Sequence, residues 1–315
     1  MIHACFLSAL VLFAAAPAKK AFQKKITGRS PSEVRVVRPA EAKSAPQSAY
    51  RRDPYVGALS ADAQTGDIIF SDGADNIAYP ASVTKVMTAL LVLEDVKARK
   101  YNLSDSVVAT EDVYRCEPSW VGIKVGQSMS VDDLLMALMV RSANDAAIAL
   151  GVKSSGSLEA FVEKMNTRAK ELGMTNTEYF NPNGLPAPKY GKRFNRTTAR
   201  DQLKLALEII KHPEIFKYTS SKTASVTLGD GKSLQMLNHN RILRMDKFKI
   251  INPDGTEAVD GLKTGYINAG GSSIILTGKR CGKRAIVIVL GSQSSDLREK
   301  HASSLMKDAL GSLSW

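Results

Sequence analysis

The stretch Ser82-Val83-Thr84-Lys85 sets a hydroxyl and an amine three residues apart, and apolar residues follow at helical spacing at Val86, Met87, Leu90, Leu91 and Leu93. On a helix those two side chains stack on one face, the placement a nucleophile and its base require. Ser82 falls at the start of the predicted helix, Ser82 to Asp95, where unpaired backbone N–H groups point toward any charge that develops there. Taken singly, Ser82 reads as an ordinary N-cap. Its meaning comes from two later elements: Ser142-Ala143-Asn144, 60 residues on, and Lys263-Thr264-Gly265, a further 121 residues along.

Working outward, Val56 to Ala61 and Ile68 to Phe70 flank a Gln64-Thr65-Gly66-Asp67 turn and predict a two-stranded hairpin. The middle third reads as helical. An apolar run, Leu134 to Val140, starts from Ser130 or Val131 and delivers Ser142 and Asn144 to its end; further helices fit Leu158 to Leu172 and Ala199 to Lys211. Asn181-Pro182-Asn183-Gly184-Leu185-Pro186 is turn chemistry. Strands return at Lys222 to Leu228 and Ser233 to Leu237 around Gly229-Asp230-Gly231, then at Val259 to Gly265, Gly271 to Thr277 and Arg284 to Leu290. Ser295 to Leu310 closes as an amphipathic helix. Strands at both ends with helices between them predict an α/β (α+β) domain: one antiparallel sheet built from both chain ends, flanked by helices, with an inserted, mainly helical subdomain.

The chain has 315 residues and 44% hydrophobic content, enough for one large domain or two intimate subdomains. Residues 1–18 carry no Lys, Arg, Asp or Glu and end Ala16-Pro17-Ala18, which reads as a secretory signal peptide cleaved after Ala18. A membrane anchor is the rival, although the apolar run, about 13 residues, is short for a bilayer span. Residues 19–52 hold ten Lys/Arg against two Asp/Glu, so +8 of the net +12 sits there. With Pro31, Pro39 and Pro46, that segment reads as a basic, disordered linker, suited either to weak contact with membrane or an anionic wall polymer or merely to solubility. The folded domain then covers 53–315. No basic patch interleaves with aromatics, which argues against nucleic acid. The four histidines, His3, His212, His239 and His301, are scattered and no Cys-x-x-Cys occurs, so no metal and no cofactor are expected. Cys116 and Cys281 permit one disulfide and demand none.

A serine hydroxyl is barely nucleophilic at neutral pH, so Ser82 needs a base, and Lys85 supplies it. An ordinary lysine titrates near 10.4, so that role calls for burial or a neighbouring cation, for which Lys263 is the candidate. Ser142 is placed to relay a proton between Lys85 and a leaving amine, and Asn144 to hold a substrate peptide group. The alternative for both is plain capping of adjacent helices. Lys263 and Thr264 together match a carboxylate. Gly265 lets a substrate backbone approach the strand edge. The N–H groups of Ser82 and Tyr266 are the candidate oxyanion donors. Arg298 is a looser candidate for a second anion contact, against the alternative of a solvated helix charge.

With these three elements in order, the chain resembles the low-molecular-mass penicillin-binding proteins, specifically the serine D-alanyl-D-alanine carboxypeptidases of the S11 peptidase group. Tyr79-Pro80-Ala81-Ser82-Val83-Thr84-Lys85-Val86-Met87-Thr88, Asn181 to Pro186, Thr198-Ala199-Arg200-Asp201 and Asp260-Gly261-Leu262-Lys263-Thr264-Gly265-Tyr266 also resemble that group's stretches. The resemblance implies a β-lactamase/transpeptidase-like fold and acylation of Ser82 by the penultimate D-alanine of a peptidoglycan stem peptide. It also implies covalent inhibition of the same serine by β-lactam antibiotics. Members often continue into an all-β domain and an amphipathic anchor, whereas this sequence stops at Trp315, so a membrane hold is expected from the N-terminus or from nothing. Tyr266 stands where relatives often have His, which implies a shifted pH profile with the oxyanion donor retained.

Three rivals share parts of this pattern. A serine β-lactamase adds a base that frees the acyl-enzyme quickly; Glu178 lies in the right region, but Glu178-Tyr179-Phe180-Asn181 has the wrong spacing and lacks the Leu of a class A Glu-x-x-Leu-Asn stretch. A DD-endopeptidase would cut cross-links instead of terminal residues. A wall-binding or β-lactam-sensing module would keep the pocket without turnover.

Overall fold

The computed structural model describes residues 54–113, 118–186 and 193–313; the expected signal peptide and linker, and Cys116, lie outside the described residues. Val56 and the alternating residues after it pair as predicted: β1 (Gly57–Asp62) and β2 (Ile68–Asp72) form the N-terminal hairpin. The C-terminal strands are β7 (Val259–Ile267), β8 (Gly271–Arg280) and β9 (Lys283–Ser292), and the sheet order is β2-β1-β9-β8-β7 with antiparallel pairing throughout. The two ends of the chain therefore meet where β1 pairs with β9, and β7, which carries Lys263-Thr264-Gly265, is an edge strand.

β9 reads as a continuous apolar run because both faces of the sheet are covered. Ile286, Ile288 and Leu290 point into a core shared with α1 (Lys85–Lys97) and α5 (Ala199–Ile209). Ala285, Val287 and Val289 point the other way, into a second core closed by Ala302, Met306, Ala309 and Leu310 of α8 (Ser295–Ser312). One-residue alternation along the strand thus feeds two cores.

The insertion between β2 and β7 is mainly helical. The hairpin of β3 (Ser106–Val108) and β4 (Ser128–Ser130) leads into α2 (Val131–Met136), whose N-cap Ser130 accepts from Asp133 N. A π-helical turn, Ala137–Arg141, ends α2. α3 (Asn144–Ser155) and α4 (Leu158–Glu171) follow, the latter capped by Ser157. α6 (Ile215–Thr219), the ribbon of β5 (Thr223–Thr227) and β6 (Ser233–Leu237), and α7 (Arg241–Arg244) complete it.

Two expectations need correction. β5 and β6 form a separate two-stranded ribbon instead of joining the main sheet, whose edge β7 stays unpaired by them. Strand propensity and a turn specify a hairpin, not the sheet it joins. The apolar run through Val140 ends at Ser142, and Asn144 opens a new helix, α3, that the pattern had not revealed. Its residues 144–151 are all buried, so no polar stripe marks its period.

Candidate active site

Ser82 does not cap a helix through its side chain. It lies in a 3-10 turn, Ala81–Thr84, whose N-cap is Pro80, and that turn runs into α1. Two glycines clamp the turn from opposite sides of the sequence. A Cβ at Gly184 (φ +89°) would stand 1.9 Å from the Ala81 carbonyl oxygen, and one at Gly265 would stand 2.7 Å from Pro80 O and 2.9 Å from Ser82 N. The loop Asn181 to Leu185 and the edge strand β7 therefore press on the serine's backbone as only glycine permits. Asn195 Nδ2 donates to Thr84 Oγ1 at 3.0 Å, and Thr88 Oγ1 donates to Pro182 O at 2.7 Å, which fixes the loop to the start of α1.

Lys85 is fully buried. Its Nζ donates to Ser82 Oγ at 2.9 Å, to Asn144 Oδ1 at 2.7 Å and to Asn183 O at 2.8 Å. Three acceptors match the three donors of an ammonium. Asn183 is the partner that sequence reasoning missed, since a backbone carbonyl leaves no side-chain signature. Asn144 is held in turn by its own N–H, which donates to Ser119 O at 2.7 Å. The neighbouring Asp145 carboxylate accepts from the N–H groups of Val121, Gly122, Ile123 and Ala146, fastening residues 119–123 over the cleft. Ser142, buried, follows the π-helical turn in a left-handed conformation (φ 62°), a backbone cost that functional sites tend to hold.

Ser82, Ser142, Thr264, Gly265, Tyr266 and Arg298 together line one cleft of about 260 Å³, which Pro118, Ser119, His239 and Arg241 also line. Lys263 is buried on the same face of β7 as Gly265, which packs on Ser82, and its Nζ donates to Thr264 O at 2.9 Å. Burial, reinforced by the Arg298 guanidinium, lowers the Lys263 ammonium to about 7. Arg298 is buried as well, which removes the reading of a solvated helix charge; it donates to Gly265 O at 3.3 Å and pairs with buried Glu299. Tyr266 turns its ring outward, 51% exposed, with its hydroxyl donating to Asn268 Oδ1.

His239 was passed over in the sequence as an isolated histidine, and only the fold brings it to the cleft. Its backbone N–H donates to Val140 O, beside the turn that carries Ser142. Loss of hydration, then the cations of Lys263, Arg141, Lys85 and Arg244, push its imidazole down to about 4, although the residue still reaches solvent at the cleft mouth. The lining holds two arginines, Arg241 and Arg298, and no carboxylate, which suits an anionic substrate. Among the described residues, no group of three or more His, Cys, Asp or Glu is placed to hold a metal. Glu178 lines no part of this cleft; it pairs with Arg196 on another face of the loop, where two cavities of about 660 and 310 Å³ open. Cys281 is an exposed free thiol in the β8–β9 turn.

Residues 53–294 match the S11 peptidase family, described as D-alanyl-D-alanine carboxypeptidase. The chain is 30% identical over 249 residues to the D-alanyl-D-alanine carboxypeptidase DacF of Bacillus subtilis, covering 79% of this chain and 60% of that one. It spans about three fifths of the length of the curated relatives it matches. Among solved structures, a peptidoglycan synthesis regulatory factor from Streptococcus pneumoniae superposes with a TM-score of 0.72 at 28% identity, over 81% of this chain and 73% of that one. Penicillin-binding protein D2 from Listeria monocytogenes, in its ampicillin-bound form, gives 0.68 at 29% identity, over 81% and 97% respectively.

Proposed function

The chain belongs to the S11 peptidase family, and from that premise we propose that it is a serine DD-carboxypeptidase that removes the terminal D-alanine from peptidoglycan stem pentapeptides through an acyl-enzyme on Ser82. The observation that carries this reading is the 2.9 Å hydrogen bond between Lys85 Nζ and Ser82 Oγ, at the floor of a cleft whose wall is Thr264 and Arg298.

Before it acts as base, Lys85 must release one of its three protons; the same contact then runs in reverse, with Ser82 O–H donating to Nζ. Oγ attacks the penultimate carbonyl, and the N–H groups of Ser82 and Tyr266 hold the oxyanion. Ser142 passes the proton to the leaving amine of D-alanine as the C–N bond breaks. Thr264 and Arg298 receive the terminal carboxylate, with the charge of buried Lys263 adding to the field, and Asn144 offers its amide to the acyl part. Water then cleaves the ester. Glu178 lies outside the cleft, which supports slow release of a β-lactam acyl group and speaks against a β-lactamase.

The N-terminal 18 residues are read as a signal peptide and 19–52 as a basic linker, so that the domain from 53 onward works outside the cytoplasm; no helix of the described residues is long and apolar enough to cross a membrane. N-terminal sequencing of protein recovered from an exporting host tests cleavage after Ala18. The function itself is tested by D-alanine release from pentapeptide monomers, with fluorescent penicillin labelling lost in Ser82→Ala. Cleavage of cross-linked dimers alone would assign a DD-endopeptidase, and rapid nitrocefin turnover a β-lactamase.

A further inference from the structure

We propose that the groove beside the Asn181 to Leu185 loop is a second binding site, one that takes the N-acetylated amino-sugar from which the stem peptide hangs. The inference rests on the carboxypeptidase reading for the direction in which the substrate runs. With the terminal carboxylate at Thr264 and Arg298 and the scissile carbonyl between Ser82 and Tyr266, the acyl part continues along the unpaired edge of β7 toward Asn268 to Gly270. There the backbone of Gly270 packs on Tyr79: a Cβ at Gly270 would lie 2.8 Å from Tyr79 Cβ and 2.9 Å from Tyr79 O. Tyr79 is the near wall of the 310 Å³ cavity. Four stem residues upstream of the scissile bond span up to about 13 Å, which directs the sugar end away from Ser82 and toward the Tyr79 wall.

What waits there has the chemistry of a sugar site. Tyr79 and Phe194 stack at 4.7 Å with their rings 14° apart, and the Arg193 guanidinium sits 4.4 Å over the Phe180 ring. A pyranose presents an apolar C–H face to such a ring and a rim of hydroxyls to planar polar groups. Those groups are Glu178 and Arg196, an ion pair whose side chains are 40% and 54% exposed, and it joins this cavity to the 660 Å³ one, where Asn176 and Lys170 add an amide and a further cation. Both volumes fall in the range of small-molecule sites, about 300–1,000 Å³. Glu178, which the chemistry at Ser82 does not use, thereby gains a role.

The test compares three substrates of the full chain: an N-acylated tripeptide ending D-Ala-D-Ala, the sugar-free pentapeptide, and the same pentapeptide on its N-acetylated disaccharide. The disaccharide form should be cleaved with about tenfold higher kcat/KM than the sugar-free one. Phe194→Ala, and independently the exposed Arg193→Gln, should remove that advantage and leave the two peptide substrates unchanged. Equal kcat/KM with and without the sugar, or equal losses on all three substrates, overturns the site. Titration of peptide-free disaccharide onto Ser82→Ala protein reads binding without turnover, with weaker binding expected on adding Phe194→Ala. If no substrate releases D-alanine but the disaccharide still binds at Phe194, the carboxypeptidase reading falls and the site stands; if peptides are cleaved and the disaccharide does not bind, the reverse holds.

Discussion

Gly184→Ala should disable acylation of Ser82 without touching any group that takes part in it. The added Cβ would stand 1.9 Å from Ala81 O and 2.3 Å from Ala81 C, and real contacts do not fall below 3.0 Å, so the Ala81 peptide or the loop must retreat by about 1 Å. Neither yields easily: Gly184 N–H donates to Asn181 Oδ1, and Asn183 O, one residue before, accepts from Lys85 Nζ. A displacement of about 1 Å in a reacting group costs on the order of 100-fold in rate. The φ of +89° adds backbone strain of about 1–2 kcal/mol for any side chain. Gly231→Ala separates the two effects, since φ is +80° there and nothing lies within 4 Å of its Cβ. Stopped-flow labelling with fluorescent penicillin and urea unfolding should show both variants destabilised, with only Gly184→Ala acylated about 100-fold more slowly. A folded Gly184→Ala protein acylated within about threefold of the parent rate would refute the clamp.

Arg298→Ala should lower stability by about 3–5 kcal/mol, because it strands the buried Glu299 carboxylate; the double change Arg298→Met with Glu299→Met should recover most of that in urea unfolding while peptide turnover stays low. Asp145→Ala leaves four backbone N–H groups without their acceptor and should cost about 3 kcal/mol, with penicillin labelling weakened as residues 119–123 loosen. Lys263 titrates at about 7 when folded against an ordinary 10.5, so between those values the unfolded chain binds more protons and stability rises with pH; Lys263→Met should flatten that rise in chemical unfolding between pH 7 and 10. The same loss of charge above about pH 7 should weaken binding of a carboxylate product analogue to Ser82→Ala protein, and a dissociation constant flat to pH 9 would remove Lys263 from the carboxylate field.

The hairpins were legible because tight turns and alternation are local, and the Gly271 to Leu290 strands because a sheet covered on both faces demands apolar runs. α3 was not, since a helix buried on all sides carries no amphipathic period. At the site, Ser82, Ser142, Thr264, Gly265, Tyr266 and Arg298 meet in one cleft, and Lys263 is buried with its Nζ on Thr264 O. His239 and Arg241 joined the lining without any signal in their own sequence neighbourhood.

By itself, then, the sequence determined which chemistry the chain can hold: a serine three residues before a lysine, two further motifs at set distances, and a loop glutamate at the wrong spacing for a second base. Only the tertiary structure decided how that chemistry is held. Asn183 reaches Lys85 through a carbonyl, Gly184 and Gly265 reach Ser82 through the absence of a Cβ, and His239 is held neutral by loss of hydration and then by the cations that converge on it. Backbone atoms and long-range charge have no residue type of their own to be read, so their roles exist only once the two ends of the chain close into one sheet around the inserted helices.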